Sequence, residues 1–272
     1  MLRATLEYDG SRYRGWQVQV NVRTVQGELQ RALREALEEI TGEATDERQA
    51  PQVHGAGRTD AGVHALAQVA SLHLPERAWA VDPRALRLAL NERLPVDVNV
   101  LSLTEAPPSF HARHDAGLRI YRYRLATRRT AFGKPYVYWV KDRLDVAAMQ
   151  RAAELFVGRH DFVSFCERPM EQESTLVEVS FVSVEVPVEV PELVLIRLGA
   201  SHFLWKMVRR LAGTLVEVGA GRLAREDVAG LLARRTEGVA RWTAPASGLF
   251  LEAVVYPGDP MPEPAHPLRP AF

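Results

Sequence analysis

The chain has one cysteine, Cys166, in 272 residues. No disulfide can form within it, and no cysteine-built zinc cluster is possible. Lysine is nearly missing too: the only lysines are Lys134, Lys141 and Lys206, so almost every cation is an arginine, the side chain suited to bidentate phosphate contacts and to stacking. Neither charge is in excess, since Lys plus Arg and Asp plus Glu number 34 each. That balance argues neither for nor against a nucleic-acid partner, which needs a basic patch rather than a basic total. No run of about 18 apolar residues is present, so no membrane span is expected. No secretory apolar segment opens the chain, and a reducing, cytoplasmic compartment is the expectation. What the sequence does have is 47% hydrophobic residues against 25% charged, enough to bury a core and to exclude disorder along the whole chain.

Hydrophobic periodicity sets out the organisation. Residues 2–9 alternate and read as a strand. After the polar loop GSRYRGWQVQ, Val25, Leu29, Leu33, Leu37 and Ile40 recur at helical spacing behind Thr24 as N-cap. Short strands are expected at 51–55, 67–74 and 97–103, with a helix over 83–93 capped by Asp82. The second half repeats the order: strand 117–127, helix 145–157, strands 176–187 and 192–201, helices 203–219 and 225–235, strand 249–256. This predicts an α+β chain of two tandem ferredoxin-like β-α-β-β-α-β halves, joined into one mostly antiparallel sheet with helices on one face. The halves are placed at 1–106 and 107–257, followed by a proline-rich tail at 258–272. Duplication rests on element order alone, because the halves share no clear residue-level similarity.

The segment Gly57-Arg58-Thr59-Asp60-Ala61-Gly62-Val63-His64 joins two of the expected strands. Its glycines permit tight turning and close approach to a ligand. Between them stand a cation, a hydroxyl and a carboxylate, on the kind of loop where a rigid scaffold carries working groups. Asp60 is placed to meet an electrophile while Arg58 contacts phosphate or a displaced base. Composition alone leaves open a second reading, a glycine-rich turn with a backbone-bonding Asp and a solvated Arg.

The literal string GRTDAGVHA, with Gln68 after it, resembles the signature loop of the tRNA pseudouridine synthase A family. Other blocks agree in order along the chain: Tyr8-Asp9-Gly10 with Gly15-Trp16-Gln17, Val25-Gln26, Phe110-His111-Ala112-Arg113 with Arg119-Ile120-Tyr121-Arg122-Tyr123, Asp161-Phe162, Ser164-Phe165, Met207-Val208-Arg209, and Ala244-Pro245. They run from residue 8 to about 256. The sequence departs from the family's usual pattern at His114-Asp115 and Trp205-Lys206.

The resemblance implies an isomerase that turns uridine into pseudouridine in tRNA, at positions 38–40 of the anticodon stem-loop, working as a homodimer without cofactor. It makes Asp60 the catalytic carboxylate. The reaction cleaves C1′–N1, rotates the uracil and re-bonds through C5. Attack on the sugar, attack on the base and loss of a sugar proton all remain open, and each needs an ionised carboxylate. Arg209 is the expected cation beside Asp60, favouring its charged form. Tyr121 is expected against the target base, helping to remove the C5 proton, with Arg119 and Tyr123 on the same strand face. Because Asp60 falls in one half and Tyr121 and Arg209 in the other, the site is expected where the halves meet. Arg58 is expected to stabilise the RNA helix from which the base has been drawn. For RNA binding the candidates also include Arg12, Arg14, His111, Arg113 and Arg119. Residues 111–129 hold six arginines against one Asp, with two tyrosines between, and could line an RNA groove.

Two other classes compete. Tandem β-α-β-β-α-β units also describe non-catalytic RNA-recognition proteins, but their K/R-G-F/Y aromatic signature is missing. An aspartate-dependent phosphohydrolase would need a second acidic cluster for Mg²⁺, and Asp60 has no neighbouring carboxylate in sequence. Histidines 54, 64, 73, 111 and 114 invite a metal, yet no motif organises them around an open ion site, and none is expected. Cys166 is read as a small packed hydrophobe.

Overall fold

The computed structural model describes residues 1–44, 50–167 and 174–267, apart from the Arg77 side chain. It is a mixed α+β chain in two compact units: Met1–Ala116 with Tyr256–Asp259, and Gly117–Val255 with Pro260–Phe272. Among the described residues no helix is long and apolar enough to cross a membrane.

The first unit runs β1 (Leu2–Tyr8), α1 (Val25–Thr41), β2 (Gln52–Gly55), β3 (His64–His73), α2 (Pro83–Arg93) and β4 (Val98–Glu105). Its strands lie in the order β4-β1-β3-β2, with every pairing antiparallel. Alternation along β1 buries Leu2, Ala4, Leu6 and Tyr8. The Thr24 hydroxyl caps α1 by accepting from Gly27 N–H, and Gly42, at φ 71°, ends it in the left-handed conformation a side chain would disfavour. Between these caps Leu29, Leu33 and Leu37 are sealed from solvent, each contributing about 1.5–3 kcal/mol by burial. Asp82 caps α2 through the amides of Arg84 and Ala85. Residues 256–259 close the unit. The Tyr256 hydroxyl donates to Ala112 O at 2.7 Å, and Asp259 pairs with Arg3 at 2.7 Å.

The second unit contains β5 (Leu118–Ala126), β6 (Tyr138–Trp139), α3 (Val146–Ala153), β7 (Gly158–Asp161), β8 (Leu176–Glu185), β9 (Leu193–Ala200), α4 (Met207–Gly219), α5 (Arg225–Ala233) and β10 (Leu249–Val255). Its sheet order is β10-β5-β9-β8-β7, antiparallel, with the short β6 parallel to β5. The strands β6 and β7 carry too few residues to show alternation and were not expected from the sequence. The helix expected over 145–157 is α-helical only to Ala153 and tightens into a 3₁₀ turn at Glu154–Phe156, before Gly158 at φ 102° turns the chain.

The helix expected over 203–219 starts four residues later. Lys206 sits at φ 60°, which a right-handed helix cannot hold, and Met207 N–H donates to Leu204 O across the preceding turn. Leu204 is buried, so it contributed to an apolar stripe without being helical.

The arginine-rich stretch also needs correction. Arg122 and Arg124 do not line a groove; they are 2% and 5% exposed on β5, a strand buried on both faces. Arg122 donates to Glu252 on β10, and Arg197 on β9 reaches the other oxygen of the same carboxylate, both at 3.0 Å. The described part of the proline-rich tail crosses this triad. Ala265 N–H donates to Glu252 at 2.9 Å, while the carbonyls of Ala265 and His266 accept from Arg122. Residues 268–272 of the expected tail lie outside the described residues.

Candidate active site

Asp60 lies on the loop between β2 and β3, half-buried, with Val63 N–H closing a turn on its carbonyl at 3.1 Å. A second loop, residues 10–16 after β1, is laid against it. Trp16 N–H donates to Thr59 O at 3.0 Å, and Gly62 N–H donates to Tyr13 O at 3.3 Å. Gly15 permits this contact: its φ is 101°, and a Cβ there would stand 2.5 Å from Thr59 O. The start of α1 holds the second loop in turn, for Val25 and Gln26 donate their amides to Gly15 O and Trp16 O. The Gln26 side chain then bridges Val18 N–H and Val53 O. The sequence block Val25-Gln26 is therefore a clamp on the loop that braces Asp60.

From beneath, Tyr8 on β1 and Gln68 on β3 hold the same loop. The Tyr8 hydroxyl lies 2.8 Å from Thr59 Oγ1, and Gln68 Nε2 donates to Gly57 O at 2.9 Å. Burial is the main reason the Tyr8 phenol is pushed up to about 12. It therefore stays protonated throughout the working range.

Arg58, Arg12 and Arg14 are exposed on these two touching loops, and Arg58 Nε donates to Gln17 at 3.1 Å. Three of the RNA-binding candidates thus share the surface that frames Asp60. His111 and Arg113 stand elsewhere in the unit, on a turn where the His111 ring stacks on His54 and lies 4.2 Å from His114 between centroids. His73 meets His54 edge-on at 5.3 Å. Burial is the first cause that holds His73 and His111 below the ordinary imidazole range, followed by neighbouring imidazoles. His64 is apart from this group and takes the Gly10 N–H on Nδ1. Among the described residues no group of three or more His, Cys, Asp or Glu side chains could hold a metal ion.

In the second unit, Tyr121 and Arg119 lie on β5. Tyr121 is 8% exposed, its ring edge-on to Phe203 at 5.1 Å. Arg119 is nearly buried and donates to Ser201 O at 2.6 Å. Arg209, half-buried on α4, is fixed twice to one residue. Its Nε donates to Ala244 O at 2.7 Å, and its carbonyl accepts from Ala244 N–H at 3.1 Å. The helix and this segment approach so closely because Gly213 has no Cβ to strike Trp242 O. The blocks Met207-Val208-Arg209 and Ala244-Pro245, 35 residues apart, are joined by these bonds. Pro245 O also accepts from the buried Tyr123 hydroxyl at 2.6 Å.

Ser164 plays a similar part, bonding Arg234 O and Thr236 N–H. Cys166 is buried, with its thiol 3.4 Å from Val163 O.

Sequence reading named Tyr8 and Gln68 only as parts of a resemblance and gave them no task. The available signal was a glutamine inside a strand that buries both of its faces. A carboxylate held on a loop braced from two sides and framed by exposed arginines is the equipment of an enzyme acting on a polyanion. The profile of the tRNA pseudouridine synthase family matches residues 4–115 and 152–257. The chain belongs to that family, isomerases that convert uridine to pseudouridine in tRNA. It is 38% identical to tRNA pseudouridine synthase A of Caldicellulosiruptor bescii, over 93% of this chain and 98% of the relative. The enzyme of the same name from Solidesulfovibrio magneticus is 44% identical, over 94% and 90%. That of Moorella thermoacetica is 41% identical, over 94% and 99%.

Proposed function

We propose that this chain isomerises uridines at positions 38–40 of the tRNA anticodon stem-loop, and that the Asp60 carboxylate opens the reaction. The observation that carries this reading is the bracing of Asp60. Hydrogen bonds fix its neighbours Gly57, Thr59 and Gly62, which restrains Asp60 as a group that must meet a flipped nucleoside in one geometry requires.

The chemistry balances within one substrate. The C1′–N1 bond breaks, the uracil turns, C1′–C5 forms, the C5 proton leaves and N1 gains one. Tyr121 is the group proposed to lie against the base and take the C5 proton. Arg209 is proposed as the cation that keeps Asp60 ionised. Arg58 is proposed to support the opened RNA helix, with Arg12, Arg14, His111, Arg113 and Arg119 as further RNA contacts.

The order β4-β1-β3-β2 in the first unit and β10-β5-β9-β8 in the second supports reading both as ferredoxin-like halves. A homodimer in the cytoplasm completes the proposal.

Asp60→Asn tests it. The variant is expected to retain tRNA binding by filter retention and to form no pseudouridine by chemical labelling of a tRNA with uridine at positions 38–40. Product at the wild-type rate would reject Asp60 as the reacting group.

A further inference from the structure

We propose that Tyr8 and Gln68 are positioning residues for the isomerisation, setting the Asp60 carboxylate through Thr59 and Gly57. The inference rests on Asp60 being the reacting acid. Asp60 is one residue after Thr59 and three after Gly57, and both of those are tied to side chains on strands of the sheet, Thr59 in addition to its backbone bond from the residue 10–16 loop. Gln68 Nε2 donates to Gly57 O at 2.9 Å and reaches the Tyr8 oxygen at 3.5 Å. The Tyr8 hydroxyl in turn shares a hydrogen bond with Thr59 Oγ1, 2.8 Å away, in which either oxygen can donate. Gln68, Tyr8 and Thr59 thus form one hydrogen-bonded chain from the sheet to the loop. All three side chains are at least 95% buried, so water does not compete for these bonds.

The arrangement is poorly explained by stability alone. Among the described residues Gln68 Oε1 is buried with no donor in reach, a loss that a purely structural residue of the same size would avoid. The amide is used from one end only, and that end points at the loop. Two sheet positions that could be filled by apolar side chains instead hold a hydroxyl and an amide aimed at the two residues that bracket Arg58 and lead into Asp60. A reacting group displaced by about 1 Å can lose roughly a hundredfold in rate while binding is intact.

Tyr8→Phe removes one oxygen and little else. It is expected to lower kcat roughly ten- to a hundredfold in single-turnover and steady-state assays on full-length tRNA, with tRNA Kd within about twofold of wild type. Thr59→Val should match it, Thr59→Ser should restore most of the rate, and Tyr8→Phe with Thr59→Val should be no slower than either alone, the non-additivity of one shared bond. Gln68→Leu is expected to slow kcat as well. Circular dichroism melts identify any variant that fails to fold, and Thr59→Ser keeps the test open if Tyr8→Phe does.

Asp60→Asn is run beside them. If it is inactive while Tyr8→Phe and Thr59→Val both turn over at the wild-type rate, the positioning role is overturned and Asp60 stands. A rise in KM with kcat unchanged would also overturn it. If Asp60→Asn is active, the reading of Asp60 has failed instead.

Discussion

The guanidinium of Arg122 lies 3.0 Å from the carboxylate of Glu252, and both side chains are almost wholly removed from water. Arg197 takes the second carboxylate oxygen, and the backbone of the tail at Ala265 takes the first again. A buried pair of this kind adds little over a well-packed apolar pair, but removing one partner strands the other's charge. Glu252→Ala is therefore expected to cost about 3–5 kcal/mol of unfolding free energy. Urea denaturation of the full chain measures this, and a loss below about 1 kcal/mol would mean that the triad is not sealed as described.

The histidine group of the first unit gives a pH dependence with a definite sign. His73 and His111 are held below their ordinary value by burial and by each other's neighbours. Those are His54, His111 and the N-terminal amine for His73, and His114 and His54 for His111, with Asp115 opposing at His111. As pH falls, the unfolded chain takes up protons near about 6.5 while the folded chain delays. The unfolded state then binds more protons, and stability falls with falling pH, from about 6.5 down through the depressed folded values. His73→Gln with His111→Gln should lose less stability than wild type between pH 7 and pH 5, in urea midpoints taken along that series. Parallel losses in both proteins would show that these two groups do not set the slope.

Most elements were legible because their patterns are local. The stripe Leu29, Leu33 and Leu37 with Thr24 before it, or Asp82 ahead of Pro83, needs no tertiary knowledge. The Asp60 loop was legible by its glycines and its literal string. What stayed hidden depends on partners distant in sequence. Nothing near Arg122 says that Glu252, 130 residues away, would bury it. A run of arginines on a strand reads as a solvated face until the fold covers both faces of that strand, as it does along β5. The entry to α4 was misjudged for a related reason: Leu204 is apolar and correctly spaced, and only the left-handed turn at Lys206 shows that the helix has not begun.

The packing of the residue 10–16 loop against the Asp60 loop can be separated from ordinary backbone strain by comparing two glycines. Gly15 and Gly133 both have positive φ, 101° and 70°. A Cβ at Gly133 would meet nothing within 4 Å among the described residues, whereas one at Gly15 would press on Thr59 O at 2.5 Å. Alanine at either position costs about 1–2 kcal/mol for the left-handed backbone. Only at Gly15 must the Asp60 loop also move, because Thr59 O is backbone and cannot swing aside as a flexible side-chain end would. Gly133→Ala is accordingly expected to melt earlier and turn over normally. Gly15→Ala should melt earlier and also lose kcat by roughly a hundredfold, the scale of a misplacement of about 1 Å. Equal activities in the two folded variants would mean that the contact between Gly15 and Thr59 does not govern where Asp60 sits.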